Sequence, residues 1–210
     1  MRNPSIALVL MFALAGTAPA FAQTNADEIA QLKQRVAQLE KQVQELSQVV
    51  EPLKAQQAAD KRRKALRVRF EKRMAEDREK YSQEQLREAE NLMGIAEQHF
   101  GSAEANEALQ TLLKNYPTSN RAGCAKLYVA QTSKGESRLT SLRECIEKYN
   151  DCFYGDGVQV GAYARFLLAE DYRNQGEERK AALYSEIRSR YPDALDHRGN
   201  PLVDGIKAHQ

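Results

Sequence analysis

Apolar residues recur with heptad spacing along residues 28–53, which read EIAQLKQRVAQLEKQVQELSQVVEPL. The a positions are β-branched and the d positions are Leu through four unbroken heptads, a pattern typical of a parallel two-stranded coiled coil. We therefore predict a helix that joins copies of the chain as a dimer or a trimer, with a single amphipathic helix packed on its own domain as the alternative. This narrow apolar stripe, called the seam, comprises Ile29, Leu32, Val36, Leu39, Val43, Leu46, Val50 and Leu53.

The heptad pattern stops where the seam ends. Pro52 has no amide hydrogen and its ring crowds the preceding turn, so we expect it to end or kink the helix. Beyond it, charged residues take the heptad core positions, and neither Gly nor Pro occurs between residues 54 and 80. This stretch predicts a charged, largely solvated helix with one weak apolar edge formed by Leu66, Phe70 and Met74.

The N-terminus has the features of a secretory signal. Arg2 precedes an apolar run over residues 6–15, and residues 20–22 (AFA) form a small–x–small cleavage site. We predict that residues 1–22 are removed after Ala22, with a retained membrane anchor as the alternative. Because the apolar run is shorter than the roughly 20 residues that cross a bilayer, we expect a periplasmic protein with no transmembrane segment after cleavage.

Basic residues are concentrated in one stretch, although the net charge of the whole chain is only +2. Residues 61–73, KRRKALRVRFEKR, carry eight basic side chains and one acidic one and are called the basic segment. In an exported protein this pattern predicts either a solvated helical spacer or a contact with anionic lipid, wall polymers or an acidic partner, and not with nucleic acid. The candidate anion contacts are Lys61, Arg62, Arg63, Lys64, Arg67 and Arg69.

A new helix is predicted from Ser82, because Ser82 and Gln85 have the spacing of a capping box. From there the sequence contains an internal repeat, because pairs of similar residues recur 75 positions apart. Between the two copies lies a middle copy, with Gly135 at its inner turn and Tyr149 near its end. We therefore predict three helix–turn–helix units over residues 82–192. The recurring pairs are Gly101 and Gly176, Leu112 and Ile187, Tyr116 and Tyr191, and Pro117 and Pro192.

These units resemble the tetratricopeptide repeat family. In the first unit Met93-Gly94 and Gly101 correspond to family positions. The resemblance implies that small residues let paired helices approach closely, and that the stacked pairs present a concave face that binds peptides or proteins. An ordinary helical bundle is the alternative interpretation. In the third unit the residues at the family's spacing are Leu168, Ala169, Tyr172, Gly176 and Ala181.

The order of signal, coiled coil, charged helix and repeats resembles the CpoB (YbgF) family of periplasmic cell-division coordinators. Residues 112–119, LLKNYPTS, also look like the repeat ends of that family. The resemblance implies that the coil oligomerises the protein and that the repeats bind envelope partners such as the Tol system and the peptidoglycan synthesis machinery. No individual functional residue is carried over from the family.

The candidate chemistry is limited to cysteine. An exported chain keeps disulfides, so we predict one structural disulfide among Cys124, Cys145 and Cys152, with the third cysteine either a free thiol or bonded to another chain. The sequence does not choose between the three pairings.

Two other stretches contain residues of the kinds found in a metal, catalytic or phosphate-binding site. His197 beside Asp196 has no third partner for a metal or catalytic site. Residues 154–162, YGDGVQVGA, lack the Gly-Lys-Ser/Thr of a phosphate loop and predict a loop with a cap formed by Asp156 and Gln159. We expect no catalytic residue, metal or cofactor.

Composition and pattern together predict an all-α protein with a coiled-coil helix followed by a short helical-hairpin solenoid. We expect an exported, non-catalytic, oligomeric adaptor that binds protein or peptide partners. The alternative is a structural protein that contacts anionic envelope polymers through the basic segment. The predicted divisions are a signal (1–22), a coiled coil (23–57), a basic linker (58–81), three helical hairpins (82–192), and a C-terminal turn and tail (193–210).

Overall fold

The computed structural model describes residues 18–172 and 176–207, with side chains from residue 28 onward. Within these ranges the chain forms helices and two isolated β-bridges but no strand, which confirms the all-α prediction. Most of the predicted signal lies outside the described residues, as do the side chains around its cleavage site. No helix in the described part of the chain is both long enough and apolar enough to cross a membrane.

Contacts divide the chain between Ala58 and Ala59 into two units. The first helix contributes residues to both units, and the other helices lie in the second. The helices are α1 (Ala18–Lys80), α2 (Gln83–Gln98), α3 (Ala103–Asn115), α4 (Asn120–Thr132), α5 (Gly135–Lys148), α6 (Val160–Asp171), α7 (Glu177–Arg190) and α8 (Leu202–Lys207).

The prediction that Pro52 ends the helix is wrong, because α1 continues through it to Lys80. A proline removes the hydrogen bond to the carbonyl four residues earlier, here that of Gln48. Both Gln48 and Pro52 are exposed, so water can hydrate the freed carbonyl. The helix is therefore spared the cost of a buried polar group without a partner.

The second unit consists of consecutive helix pairs in a bundle-like arrangement. Consecutive helices from α2 to α8 pack against one another. Tyr116 and Tyr191, which lie 75 residues apart, end α3 and α7 in the same way. Their amides donate to the carbonyls of Leu112 and Ile187, each at 2.9 Å. The two tyrosines are therefore structurally equivalent, whereas Gly101 and Gly176 are not, since their φ angles are 76° and 165°.

The turns and starts of these helices follow the predicted local chemistry. Gly101 and Gly135 have φ angles of 76° and 57°, values that favour glycine in the inner turns of the first two pairs. Ser82 begins α2 with the predicted capping box. Its hydroxyl accepts from the amide of Gln85 at 3.2 Å, and the Gln85 side chain accepts from the amide of Ser82 at 2.9 Å.

Close helix approach occurs at different glycines from the one expected. A Cβ added at Gly94 meets nothing within 4 Å, so the close approach implied by the family resemblance is wrong at that position. A Cβ at Gly123 would lie 2.6 Å from Sγ of Cys152, and one at Gly161 would lie 2.6 Å from Cα of Asn150. The tightest contacts therefore join α4 and α6 to the connection that follows α5.

Candidate functional site

Two short β-hairpins flank the last helix pair, and sequence reasoning missed both. The first hairpin (residues 152–160) pairs Phe153 with Gln159, and the second hairpin (residues 194–202) pairs Leu195 with Pro201. The two hairpins have the same pattern of internal backbone hydrogen bonds. The amide of residue 160 donates to the carbonyl of residue 152 at 2.8 Å, and the amide of residue 202 donates to that of residue 194 at 2.9 Å.

A signal for these hairpins was present in the sequence. The paired residues of the two hairpins lie 42 positions apart, and so do Gly157 and Gly199, whose φ angles are 93° and 80°. The loop predicted at residues 154–162 is confirmed as far as residue 159, but the predicted cap is wrong. Helix α6 begins at Val160 without a side-chain cap bond from Gln159, and Asp156 accepts instead from the amide of Val158 at 3.1 Å.

Both hairpins contact the basic segment of α1. Leu66 is only 3% exposed and forms one apolar cluster with the buried side chains of Phe153 and Leu195, and Phe70 packs at its edge. The predicted apolar edge of this helix therefore lies within the second unit, buried at Leu66 and half-buried at Phe70. Phe153 and Leu195 occupy equivalent places in the two hairpins, so a single leucine is covered by both.

A buried ion pair extends this contact toward the end of α1. Asp77 is 1% exposed, and its Oδ1 lies 2.6 Å from Nη1 of Arg73, which is also buried. Nη2 of Arg73 donates to the carbonyl of Thr118 at 2.5 Å. Because an isolated buried charge is strongly disfavoured, this pair requires the remaining hydrogen bonds to be made as well.

Asn120 links the ion pair to the first hairpin. Its amide donates to Oδ2 of Asp77 at 2.7 Å, so the carboxylate lies at the start of α4. Its side chain accepts from the amide of Phe153 at 2.7 Å and donates to the carbonyl of Phe153 at 2.8 Å. A continuous set of buried hydrogen bonds therefore joins α1, α4 and the first hairpin.

The candidate anion contacts on the basic segment lie mainly on its outer face. Arg62 is half-buried, whereas the other five are exposed. Arg67 lies 2.8 Å from Glu71 and Arg63 lies 3.7 Å from Asp60, and such exposed pairs stabilise a helix only slightly. This face can therefore meet a partner at little cost in lost ion pairs.

A cavity of about 410 Å³ lies beside the basic segment, within the range of roughly 300–1,000 Å³ typical of ligand sites. We call it the charged cavity. Its lining comprises Arg69, Lys72, Arg73, Glu76, Asn150, Asp151, Phe153, Gln159, Arg190 and Tyr191.

Asn150, in the wall of the charged cavity, is held from three directions. Its Oδ1 accepts from Nη1 of Arg165 at 2.8 Å and from the hydroxyl of Tyr191 at 2.7 Å, and α6 approaches it closely at Gly161. Arg165 is itself buried and forms two contacts with Glu186, of 3.0 and 3.1 Å. This wall is thus preorganised by α6 and α7.

Hydrogen bonding from Arg165 lowers the pKa of Glu186 below its ordinary value. A lowered folded-state pKa means that the pair stabilises the fold above the ordinary carboxylate pKa and ceases to do so as the pH falls through the lowered value. We expect Glu186→Gln to reduce the free energy of unfolding by about 1–2 kcal/mol at pH 7. Urea unfolding at pH 7, 5 and 3 should show this difference shrinking in acid, whereas a difference that is constant with pH would contradict the assignment.

The three cysteines are buried and unbridged. Sγ of Cys124 lies 3.4 Å from the carbonyl oxygen of Phe153, and Cys152 packs against Gly123. Burial raises the pKa of Cys145 to about 12 and that of Cys152 to about 11, so these thiols are protonated at neutral pH and weakly reactive. A disulfide among the three stays a prediction.

His197 finds a carboxylate partner other than its sequence neighbour. Its Nδ1 lies 2.8 Å from Oδ2 of Asp156, so the pair connects the two hairpins. Burial alone would raise the pKa of Asp156, but the hydrogen bond with His197 and the hydrogen bonds from backbone amides, Val158 among them, together outweigh it and lower that pKa. No group of three or more His, Cys, Asp or Glu side chains in the described ranges is placed to hold a metal ion.

The seam belongs to the first unit, and all eight of its side chains are exposed, with exposed fractions from 38% to 64%. They lie on a continuous helix at heptad spacing. The described chain therefore provides no cover for this stripe, although apolar surface of this kind is stabilised by burial.

No family model matches the chain, and neither the curated proteins nor the solved structures include a match to it.

Proposed function

We propose that the protein is an exported, non-catalytic adaptor of the cell envelope that works as an oligomer. The observation that carries this proposal is the seam, a stripe of eight apolar side chains left exposed on one helix. A second copy of the same helix would cover the stripe by knobs-into-holes contacts. Isolated exposed leucines need no explanation, but a contiguous stripe with this spacing indicates a partner.

The charges beside the seam support a parallel pairing with a second copy. In a parallel coil Glu28 would lie near Lys33 of the other copy, and Arg35 near Glu40. All four side chains are exposed, and none of them forms an ion pair within the described chain. They are therefore available to pair between copies, where they would favour the parallel arrangement.

Partner binding is assigned to the helix pairs of the second unit. The first helices of successive pairs contact one another, α2 with α4 and α4 with α6, as in stacked tetratricopeptide-like repeats. Such stacking would place these helices along a concave face suited to an extended peptide. Joining two or three such faces through the seam would raise the apparent affinity without any new contact.

The test is the variant Val43→Asp/Leu46→Asp, studied in the mature chain. Two buried carboxylates per helix would prevent pairing, so we expect the mass in solution to fall to that of one chain while the helical circular dichroism of the second unit persists. Capture of envelope proteins should weaken in parallel. Sedimentation equilibrium measures the mass directly.

The control is Gln44→Asp/Gln48→Asp, which adds the same charge to the same helix at exposed positions off the seam. Its mass should match that of the unchanged protein. An unchanged mass for the seam variant would contradict the proposal, and so would a monomeric unchanged protein at micromolar concentration.

A second candidate function is favoured by the exposed outer face of the basic segment. The chain could contact anionic lipid or wall polymers there, with the repeats as a scaffold. Binding of this kind collapses with added salt because exposed charges are screened over about 10 Å at 0.1 M salt. Capture of a discrete set of proteins that survives high salt would favour the adaptor, and capture of salt-sensitive polymer alone would favour this alternative.

A further inference from the structure

The charged cavity has a lining of mixed sign. Its cations are Arg69, Lys72, Arg73 and Arg190, and its acids are Glu76 and Asp151. Two of the cations already have partners, since Arg73 is paired with Asp77 and Arg190 lies 2.8 Å from Glu186. Arg69 and Lys72 form no ion pair within the described residues, so their charges are available to a ligand.

The opposite wall offers hydrogen-bond acceptors. Gln159 is 3% exposed, and its Nε2 donates to the carbonyl of Asn150 at 3.0 Å. Because a carbonyl can only accept, this bond fixes the orientation of the Gln159 amide. Its Oε1 is buried and has no donor in the described chain. The exposed carboxylate of Asp151 adds a further acceptor nearby.

We propose that the charged cavity binds a carboxylate that lies next to an N–H donor, the combination presented by an acidic peptide segment. The carboxylate pairs with Arg69 and Lys72 of α1. The neighbouring amide N–H donates to the exposed carboxylate of Asp151.

The mixed lining favours this ligand over a more highly charged one. A phosphate group carries close to two negative charges at neutral pH and offers mainly acceptors. It would meet Glu76 and Asp151 as like charges and would bring no N–H donor for the Asp151 carboxylate. A single carboxylate with an adjacent N–H is matched on both walls.

The walls are preorganised for such a ligand. Arg165 and Tyr191 hold Asn150 in place, and the ion pair of Arg73 with Asp77 fixes the adjacent turn of α1. Rigid walls reduce the ordering cost of binding. The proposal depends neither on oligomerisation through the seam nor on the concave repeat face, so its test can fail while those stand.

The experiment uses the ¹⁵N-labelled mature chain and three small probes that differ in one group each. N-acetylglycine has both the carboxylate and the N–H, N-acetylsarcosine has the carboxylate with a methylated nitrogen, and N-acetylglycinamide lacks the carboxylate. We expect N-acetylglycine to shift the side-chain amide signals of Asn150 and Gln159. N-acetylsarcosine should bind about threefold more weakly or worse, the loss expected for one hydrogen bond. N-acetylglycinamide should not bind.

A peptide carboxylate can come from an acidic side chain or from the C-terminus of a chain. A fourth probe, the methylamide of N-acetylaspartate, distinguishes these two sources. It carries a side-chain carboxylate between two peptide groups. Tighter binding than N-acetylglycine would assign the site to an internal acidic residue of a partner, and weaker binding would assign it to a chain end.

The matched variants are Arg69→Glu/Lys72→Glu and Arg78→Glu/Lys80→Glu. Both change the same helix by the same charge, and all four side chains are exposed, but only the first pair lines the charged cavity. We expect the first variant to weaken binding of N-acetylglycine by about tenfold or more, and the second to leave it within about twofold. Equal weakening by both variants would mean that the probe is attracted by the overall positive charge of the helix and not by a defined site, and it would overturn the proposal. Equal binding of N-acetylglycine and N-acetylsarcosine would also overturn it.

Discussion

Replacing Asp77 with alanine is expected to lower the free energy of unfolding of the second unit by about 3–5 kcal/mol, the range measured when one partner of a buried ion pair is removed. The guanidinium of Arg73 would remain buried without its closest counter-charge. The amide at the start of α4 would lose its acceptor as well, because Asn120 donates to Asp77 at 2.7 Å. Urea unfolding followed by circular dichroism measures the loss.

Two further variants show whether the loss belongs to the buried pair. Glu79→Ala removes an exposed acid from the same helix and should change stability by less than about 0.5 kcal/mol. Arg73→Met/Asp77→Leu removes both charges at once and should recover much of the loss, because an apolar pair can replace a buried ion pair at little cost. A loss below about 1 kcal/mol for Asp77→Ala would mean that the pair remains hydrated in solution.

The substitution Gly161→Ala is expected to destabilise the protein, although alanine is the better helix former. In α6 a Cβ at this position would lie 2.6 Å from Cα and 2.8 Å from the carbonyl oxygen of Asn150. These are backbone atoms, so the clash cannot be relieved by turning a side chain. We expect a loss of about 2–3 kcal/mol, within the range for overpacked cores, and weaker binding of N-acetylglycine in the charged cavity because Asn150 is displaced.

Gly94→Ala is the matched control, since Gly94 lies inside α2 and an added Cβ meets nothing within 4 Å. Here the helix propensity acts alone, and we expect a gain of about 0.5–1 kcal/mol. The two substitutions are chemically identical and should therefore have opposite signs. If both stabilise the protein, the close approach of α6 to Asn150 is not rigid in solution.

Local chemistry was sufficient to predict the helices of the second unit. The capping box of Ser82 and Gln85 spans only four residues, and Tyr116 and Tyr191 mark helix ends that form within one helix pair. The hairpins were missed for a physical reason. Each contains a single bridge, so there is too little alternation of apolar and polar residues to indicate a strand.

The burial within the basic segment could not be predicted from its composition. Arg73 and Asp77 stand among charged residues, and such a stretch is normally solvated. Their burial becomes favourable only through groups distant in sequence, namely the carbonyl of Thr118 and the amide of Asn120. The charged cavity was missed for the same reason, because its lining comes from α1, from the connection that follows α5 and from the end of α7.

The contact of Leu66 with both hairpins also sets an order of events during synthesis. Phe153 follows Leu66 by 87 residues and Leu195 follows it by 129, so these are contacts of long sequence separation. Chain closure over such distances is slower than the formation of neighbouring helix pairs. Leu66 can be fully covered only after residue 195 has left the ribosome. A chain cut short before the second hairpin could still build its helix pairs, but the apolar surface around Leu66 and Phe153 would stay partly exposed.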